Sequence, residues 1–584
     1  MTLSIHHRIR KLSLLFVVGL FVVGFGALGD WFGETYYEAD GIAYFDDANA
    51  IRHGDWTTAL NPYWSIGYPL VLAATRWMFP PGWAGEWTSI HVVNLLIFVA
   101  TYASFLYFVR IAATYATKAD GADECPPGSN VLFVVATFIF LVWQMRIVSR
   151  TTPDMMVSGL FFLLTAASLQ FCLRPAARFA IWMGLAAGLG YVAKAIFLPL
   201  SLAVFLVVLL QILTRSSTDR FSAVTKLIWA LPAMALPILP YVIALSMVLG
   251  RFTLGESGSL NYAWTVNKLA HWHWIGGPAP FGEPIHPVRL LCASPHVYEF
   301  GEPIHVTYPP FFNPFYWYEG YNHFFSLKNQ LLAIKANLFD LVALFFNPPL
   351  APVKAAVTVV CLIPLFVLFT NAKMFWQRLM ALWPVYLPSL VGLGIYLLVC
   401  VEVRYVVGFL LILLITPLLV LFIPSPLVDK KIGRLIVIVV SLLCLAYLIK
   451  DEWPSLGRAI RHESYTSDEE WRIGLYLTAE GPPPGTKVAM VRVERGIQTT
   501  WAYVSGLHIV SQIGNQDFNQ EQQQKDFQLF INRPDVQQTV FNLFRKSGAV
   551  LVLALDVPGA PQGDGWFQVP GTESWIHRLD ESAP

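Results

Sequence analysis

What most constrains this chain is the recurrence of apolar runs long enough to cross a bilayer. A helical span takes about 17 to 25 mostly apolar residues. Runs of that kind return at Leu12–Gly29, Trp87–Ile111, Val131–Met145, Met155–Leu173, Leu227–Leu249, Leu350–Thr370, Leu379–Cys400, Tyr405–Ile423 and Leu435–Ile449. The apolar stretch between Arg178 and Arg215 is too long for one span and suits two, broken near Lys194 and Pro199. The pattern predicts an α-helical polytopic membrane protein of about eleven transmembrane helices. Composition agrees: 55% of the 584 residues are hydrophobic and 13% charged, with a mean hydropathy of +0.54, where a soluble domain carries about a quarter charged residues. A net charge of +1 without long basic runs argues against nucleic acid as a partner.

Sidedness follows from Lys and Arg. Arg8, Arg10 and Lys11 precede the first run, which is longer than a signal-peptide core and reads as an anchor with its N-terminus in the cytoplasm. Arg110 and Lys118, Arg174 and Arg178, Lys373 and Arg378, and Lys430, Lys431 and Arg434 then fall on loops that alternation also places inside. The loops 30–86 and 250–349 come out on the opposite, periplasmic side, as does everything after Lys450. Residues 1–449 thus read as a transmembrane domain. Residues 450–584 read as a small soluble α/β domain, with strand-like runs at Lys487–Val493, Leu507–Ile513 and Ala549–Leu555 and a helical stretch before the last. The six cysteines form no C-x-x-C pair, so neither a disulfide framework nor a thiolate metal site is indicated.

The first outer loop concentrates acids in a chain that is otherwise poor in them. Glu38, Asp40, Asp46, Asp47 and Asp55 lie among aromatic residues between Tyr36 and Pro69. Desolvated carboxylates beside a membrane are costly unless paired, hydrated or used, which makes the loop a candidate site; the alternative is a hydrated loop in which Asp40 and Asp55 cap helices. Other polar groups gather on the same face. Asp154 follows Thr151-Thr-Pro at the start of the fourth span, Lys194 ends Gly190-Tyr-Val-Ala, and Glu402-Val-Arg404-Tyr405 lies between the ninth and tenth. For Asp154 a helix cap is the competing explanation, and for Lys194 and Arg404 snorkelling to the interface. The hexapeptide FGEPIH occurs twice, at Phe281–His286 and Phe300–His305. It offers two Glu/His pairs for a metal or sugar hydroxyls, or two similar Gly-x-Pro turns.

Taken together, Asp40-x-x-x-Tyr44, Gly54-Asp55-Trp56, Thr-Pro-Asp154, Gly-Tyr-Val-Ala-Lys194 and Glu-x-Arg404-Tyr405 resemble the bacterial membrane glycosyltransferases of the GT-C type, in particular the protein mannosyltransferase and aminoarabinose transferase group. The resemblance covers residues 1 to about 450 and rests on the order and common sidedness of motifs that are individually weak. It implies Asp40 as catalytic base and Lys194 as a contact to the donor phosphate; the polar groups on the same face add Asp154 as a supporting acid. Lys194 and Arg404 would hold the phosphate of a polyprenyl-phosphate sugar donor, and Tyr405, Asp46, Asp47 and Glu402 would line the substrate site. One departure stands out: relatives often carry two adjacent acids where this chain has Asp40-Gly41, leaving Asp46 or Asp47 as the second carboxylate, or none.

The expectation is therefore a transferase of the bacterial inner membrane that moves a sugar from a polyprenyl-phosphate carrier to a glycan, lipid or protein acceptor on the periplasmic side. The resemblance implies chemistry without a metal or other cofactor, although some more distant relatives use a divalent ion with paired acids, and the acidic loop leaves that alternative open. The rival is a transporter or flippase of lipid-linked glycans, with the charges lining a path. Against it, they collect at one face and the spans show no internal repeat.

Overall fold

The computed structural model describes residues 18–32, 39–79, 83–119, 121, 129–214, 219–271, 273–346, 372–422, 430–461, 468–492, 499–514 and 520–579. Among them, the helices Gly85–Ala119, Asp154–Leu173, Phe197–Thr214, Arg220–Leu249, Leu327–Phe346 and Val403–Val420 are long and apolar enough to cross a membrane, and Val18–Phe32, Leu132–Met145, Ala177–Ala193 and Trp383–Val399 are shorter apolar helices. The expected span Leu350–Thr370 lies outside the described residues.

The break expected inside residues 178–215 is present. The helix Ala177–Ala193 stops at Lys194, whose backbone is extended (φ −163°, ψ 130°), and the next helix begins at Phe197. Small residues allow the first of these helices to pack closely: a Cβ at Gly184 or Gly188 would run into the backbone of the helix Ala230–Leu249. In lipid, where apolar side chains gain little by leaving the tails, such backbone approach is a principal source of helix association.

One helix was not legible as such. Leu327–Phe346 falls in a region read as outer loop, because Asn329, Gln330, Lys335, Asn337 and Asp340 interrupt its apolar run. These polar groups have a use. Asn337 Nδ2 donates to the carbonyls of Leu397 and Val399, both at 3.0 Å, its Oδ1 accepts from Val401 N, and Gln330 Nε2 donates to Leu398 O. They satisfy the free carbonyls at the C-terminal end of the helix Trp383–Val399. The turn carrying Glu402 and Arg404 is thereby fixed.

Among the described residues the extramembrane part is built on one seven-stranded sheet, and the sheet is not confined to residues after 450. In chain order its strands are β1 Arg289–Ala293, β2 His296–Glu299, β3 Lys487–Val491, β4 His508–Ile513, β5 Leu551–Ala554, β6 Trp566–Gln568 and β7 Trp575–Arg578, arranged β1-β2-β4-β3-β5-β7-β6. β3, β4 and β5 are parallel, as apolar strands alternating with helices predict. β1 and β2 form a hairpin from the long outer loop, and β2 pairs antiparallel with β4, Tyr298 opposite Gln512. One sheet face packs on the helices Gln520–Asn532 and Pro534–Lys546. The other buries Val488, Met490, Ile509 and Leu553 against loop aromatics that include Trp274, Phe300 and Trp317. The outer loop and the C-terminal segment therefore share a core above the helices.

Candidate active site

Four segments bring polar side chains to one end of the bundle: the first turn of the helix Ala39–His53 with Asp40, the start of Asp154–Leu173, the break at Lys194, and the turn leading into Val403–Phe422. Asp154 is the first residue of its helix, with Pro153 at the cap position, so its carboxylate is available for other partners. Gly41 explains the missing second acid after Asp40. A Cβ there would collide with Thr151 Oγ1, so the helix carrying Asp40 rests against the segment that leads to Asp154.

Two cations and three carboxylates form a chain. Lys194 Nζ lies 2.5 Å from Asp154 Oδ1; Arg404 Nε lies 2.7 Å from Glu402 Oε2 and 3.8 Å from Asp154 Oδ2; and Arg404 Nη2 lies 2.8 Å from Asp40 Oδ2. The Asp154 carboxylate is 2% exposed, so its ionised form depends on both cations. Tyr405 locks the arrangement. Its ring lies 3.7 Å beneath Lys194 Nζ, its hydroxyl accepts from Arg404 Nη2 at 3.3 Å, and it stacks on Tyr396. Contact between an ammonium and a tyrosine face is worth up to about 2 kcal/mol when desolvated.

This charged chain borders two cavities. The larger, about 380 Å³, is lined mainly by apolar groups and contains Asp154 and Lys194 with Leu198, Pro199, Ile395 and Val399. The smaller, about 130 Å³, is lined by Trp264, His271, His273, Trp317, Tyr318 and Glu402, among others. Asp40, Arg404, Tyr405, Tyr63, Trp64 and Asn261 belong to both linings. A carboxylate on a shared wall can act on two ligands at once, and a lysine confined to the apolar cavity can hold the anionic end of an amphiphile.

The structure thus brings together Asp40, Asp154, Lys194, Glu402, Arg404 and Tyr405, and it turns Asp46 and Asp47 elsewhere. Asp46 accepts from Thr307 N at 3.1 Å and Thr307 Oγ1 at 2.9 Å, joining the first outer loop to the second, and its burial pushes its pKa up to about 7. Asp47 is fully buried with neither oxygen hydrogen-bonded among the described residues, and burial raises its pKa well above the carboxylate range. Helix geometry accounts for both: Asp46 is about 120° around the helix from Asp40, and Asp47 about 10 Å along its axis. Asp55 is a helix cap, its Oδ1 accepting from Thr58 N at 3.1 Å.

The two FGEPIH copies take different partners. His286 lies 3.4 Å from Glu319 and stacks on Tyr316, whereas His305 lies 3.2 Å from Glu302, which also pairs with Lys487. The sequence reading gave Tyr63 and Trp264 no role in the site and did not single out Tyr396, His271 or His273. The run His271-Trp-His-Trp274 was the available signal, since two histidines alternating with two tryptophans are unusual in a loop facing water.

With the fold and the site in view, the class is a polytopic helical membrane protein of the GT-C fold, its soluble sheet set over the end of the bundle that carries the ionic chain. Among solved structures, the chain is similar to ArnT from Cupriavidus metallidurans. The apo crystal structure of that protein superposes with a TM-score of 0.52 at 13% identity, covering 99% of this chain and 100% of that one. Its form bound to undecaprenyl phosphate superposes with a TM-score of 0.54 at 12% identity, covering 98% and 99%. At such identity the likeness is one of fold. No protein-family model matches the chain, and no curated protein matches it.

Proposed function

We propose that this protein is a membrane glycosyltransferase that moves a sugar from a polyprenyl-phosphate donor to a hydroxyl acceptor on the periplasmic face of a bacterial inner membrane, with its N-terminus in the cytoplasm. The observation that carries the reading is the position of Asp40: one carboxylate, held by Arg404, on the wall shared by an apolar cavity containing Lys194 and a smaller aromatic one. A fold shared with a protein crystallised with undecaprenyl phosphate supports the choice of donor.

In this reading the donor phosphate enters the larger cavity and competes with Asp154 and Asp40 for Lys194 and Arg404. Releasing Arg404 from Asp40 frees that carboxylate to take the acceptor's hydroxyl proton. The acceptor oxygen forms a bond to the anomeric carbon, the bond from that carbon to the phosphate oxygen breaks, and the departing polyprenyl phosphate gains one negative charge. Lys194 and Arg404 meet that charge where it develops. Asp154 keeps both cations in place, and Tyr405 orients them. The two cations supply the stabilisation that a divalent ion gives in other phosphate sites, so the reaction proceeds without a metal. The acceptor is a glycan, a lipid or a protein side chain.

The test is mass spectrometry of lipid retained by the purified protein, followed by transfer from the lipid found. A polyprenyl-phosphate sugar that loses its sugar to an added acceptor is the expected result. Vesicles that translocate the lipid with its sugar intact and never transferred would establish the transporter instead.

A further inference from the structure

Two residues that line the smaller cavity, His273 and Trp264, each carry a buried ring nitrogen, Nδ1 and Nε1, with no hydrogen-bond partner among the described residues. Buried N–H groups left unpaired in a native fold call for an explanation, and a shared cavity offers a ligand as one. His273 is also held with unusual care. Its backbone takes φ +49°, a left-handed conformation that non-glycine residues adopt at a cost. Its ring is stacked on Tyr298, with centroids 4.4 Å apart and planes 24° apart, and on Phe300, 5.6 Å and 12°.

A chain of hydrogen bonds from the soluble sheet decides which ring nitrogen carries the proton. Gln512, on β4 opposite Tyr298, accepts from Tyr308 Oη through Oε1 at 2.7 Å, and its Nε2 lies 3.4 Å from the carbonyl of Gly514. A carbonyl only accepts, so the amide nitrogen belongs at that end. The same nitrogen lies 2.9 Å from His273 Nε2. His273 Nε2 must then accept, which leaves the proton on Nδ1. Burial lowers the imidazole pKa to about 3, so the ring is neutral at physiological pH.

Resting on the glycosyl-transfer reading, we propose that His273 is a specificity-determining residue of that reaction. Its Nδ1–H, fixed by Gln512 and Tyr308, donates to an oxygen of a carbohydrate in the smaller cavity, with Trp264 Nε1–H as a second donor. The soluble sheet takes part in recognition through this network. A site built around fixed donors rejects ligands that lack the matching oxygen, because the donors would then stay unpaired. The carbohydrate is either the sugar of the donor or the terminal sugar of the acceptor.

The experiment uses the full chain in lipid nanodiscs. With labelled histidine, NMR should show His273, assigned by its loss in His273→Phe, protonated on Nδ1; in Tyr308→Phe the Gln512 amide can turn over and the proton should shift toward Nε2. A panel of methyl hexopyranosides read by saturation-transfer NMR should include at least one that binds wild type and binds both variants about tenfold or more weakly. Undecaprenyl phosphate binding, measured alongside, should persist in both variants and shows that they fold. Displacement of the glycoside by undecaprenyl-phosphohexose but not by undecaprenyl phosphate would assign the site to the donor's sugar, and displacement by neither to the acceptor's. The proposal is overturned if no glycoside binds wild type, if His273→Phe binds it equally well, or if the proton resides on Nε2. Failure of wild type to bind undecaprenyl phosphate would count against glycosyl transfer itself, independently of the glycoside result.

Discussion

Arg404 joins Asp40 at 2.8 Å while its Nε remains on Glu402 at 2.7 Å, so the guanidinium bridges the first outer loop and the end of the ninth expected span. A neutral Asn at position 40 would leave Arg404 still paired with Glu402. This makes Asp40 separable from the stability of the site, which few carboxylates in such a cluster allow.

Lys194 and Asp154 are not separable in that way. Removing Lys194 takes the closest cation from the Asp154 carboxylate, 2% exposed, and leaves the more distant Arg404 at 3.8 Å. Breaking a buried pair of this kind costs roughly 3 to 5 kcal/mol. Lys194→Ala should therefore lower the melting temperature and weaken undecaprenyl phosphate binding by about tenfold or more. Adding Asp154→Asn should restore the melting temperature without restoring affinity. Recovery of both would place Lys194 in structure alone.

Truncation after Lys450 removes β3 to β7 and leaves the β1–β2 hairpin without β4. The loop aromatics that pack on Val488, Met490 and Ile509 lose their cover. Limited proteolysis of the truncated chain should cut between residues 272 and 326, where the full chain resists. Equal resistance in both would show that the outer loop folds without the C-terminal segment.

The composition shift after Lys450 made a soluble segment legible, and the strands at 487–491, 508–513 and 551–554 fall within the runs expected. It could not reveal that the sheet borrows two strands from a loop nearly two hundred residues earlier, because strand pairing depends on tertiary context. The site was legible where residue chemistry conflicts with a membrane setting: Asp154, Lys194 and Arg404 are expensive there unless paired, and they pair with one another or with neighbouring acids. Asp46 and Asp47 stood as candidates for a second carboxylate beside Asp40 because charge alone does not show which helix face a residue occupies. His273 was hidden because its setting depends on Gln512, and through it on Tyr308, contacts that sequence order does not show.

Asp46 gives a pH dependence. Burial raises its pKa from 3.8 to about 7 in the fold, against the opposing bonds from Thr307. Between those values the folded chain holds a proton that the unfolded chain has released. The stability contributed is complete below the unfolded value and is lost as pH rises through 7. The melting temperature should thus fall between about pH 4 and 7, and Asp46→Asn should make the slope shallower. Identical slopes would show that Asp46 does not titrate in this range.

In the proposed mechanism Lys194 and Arg404 carry the leaving-group charge, so dialysis against EDTA should leave sugar transfer largely intact, at about half its rate or more. Loss of activity restored by a divalent ion would reassign the carboxylates as ligands.

The central claim is that Asp40 takes the acceptor's proton, and the measurement that addresses it most directly is turnover of Asp40→Asn on the polyprenyl-phosphate sugar retained by the wild-type protein, with donor binding followed in parallel. The substitution keeps shape and removes the proton acceptor. Turnover should fall by about 10²-fold or more while undecaprenyl phosphate affinity stays within about twofold of wild type. Full turnover in Asp40→Asn would contradict the account.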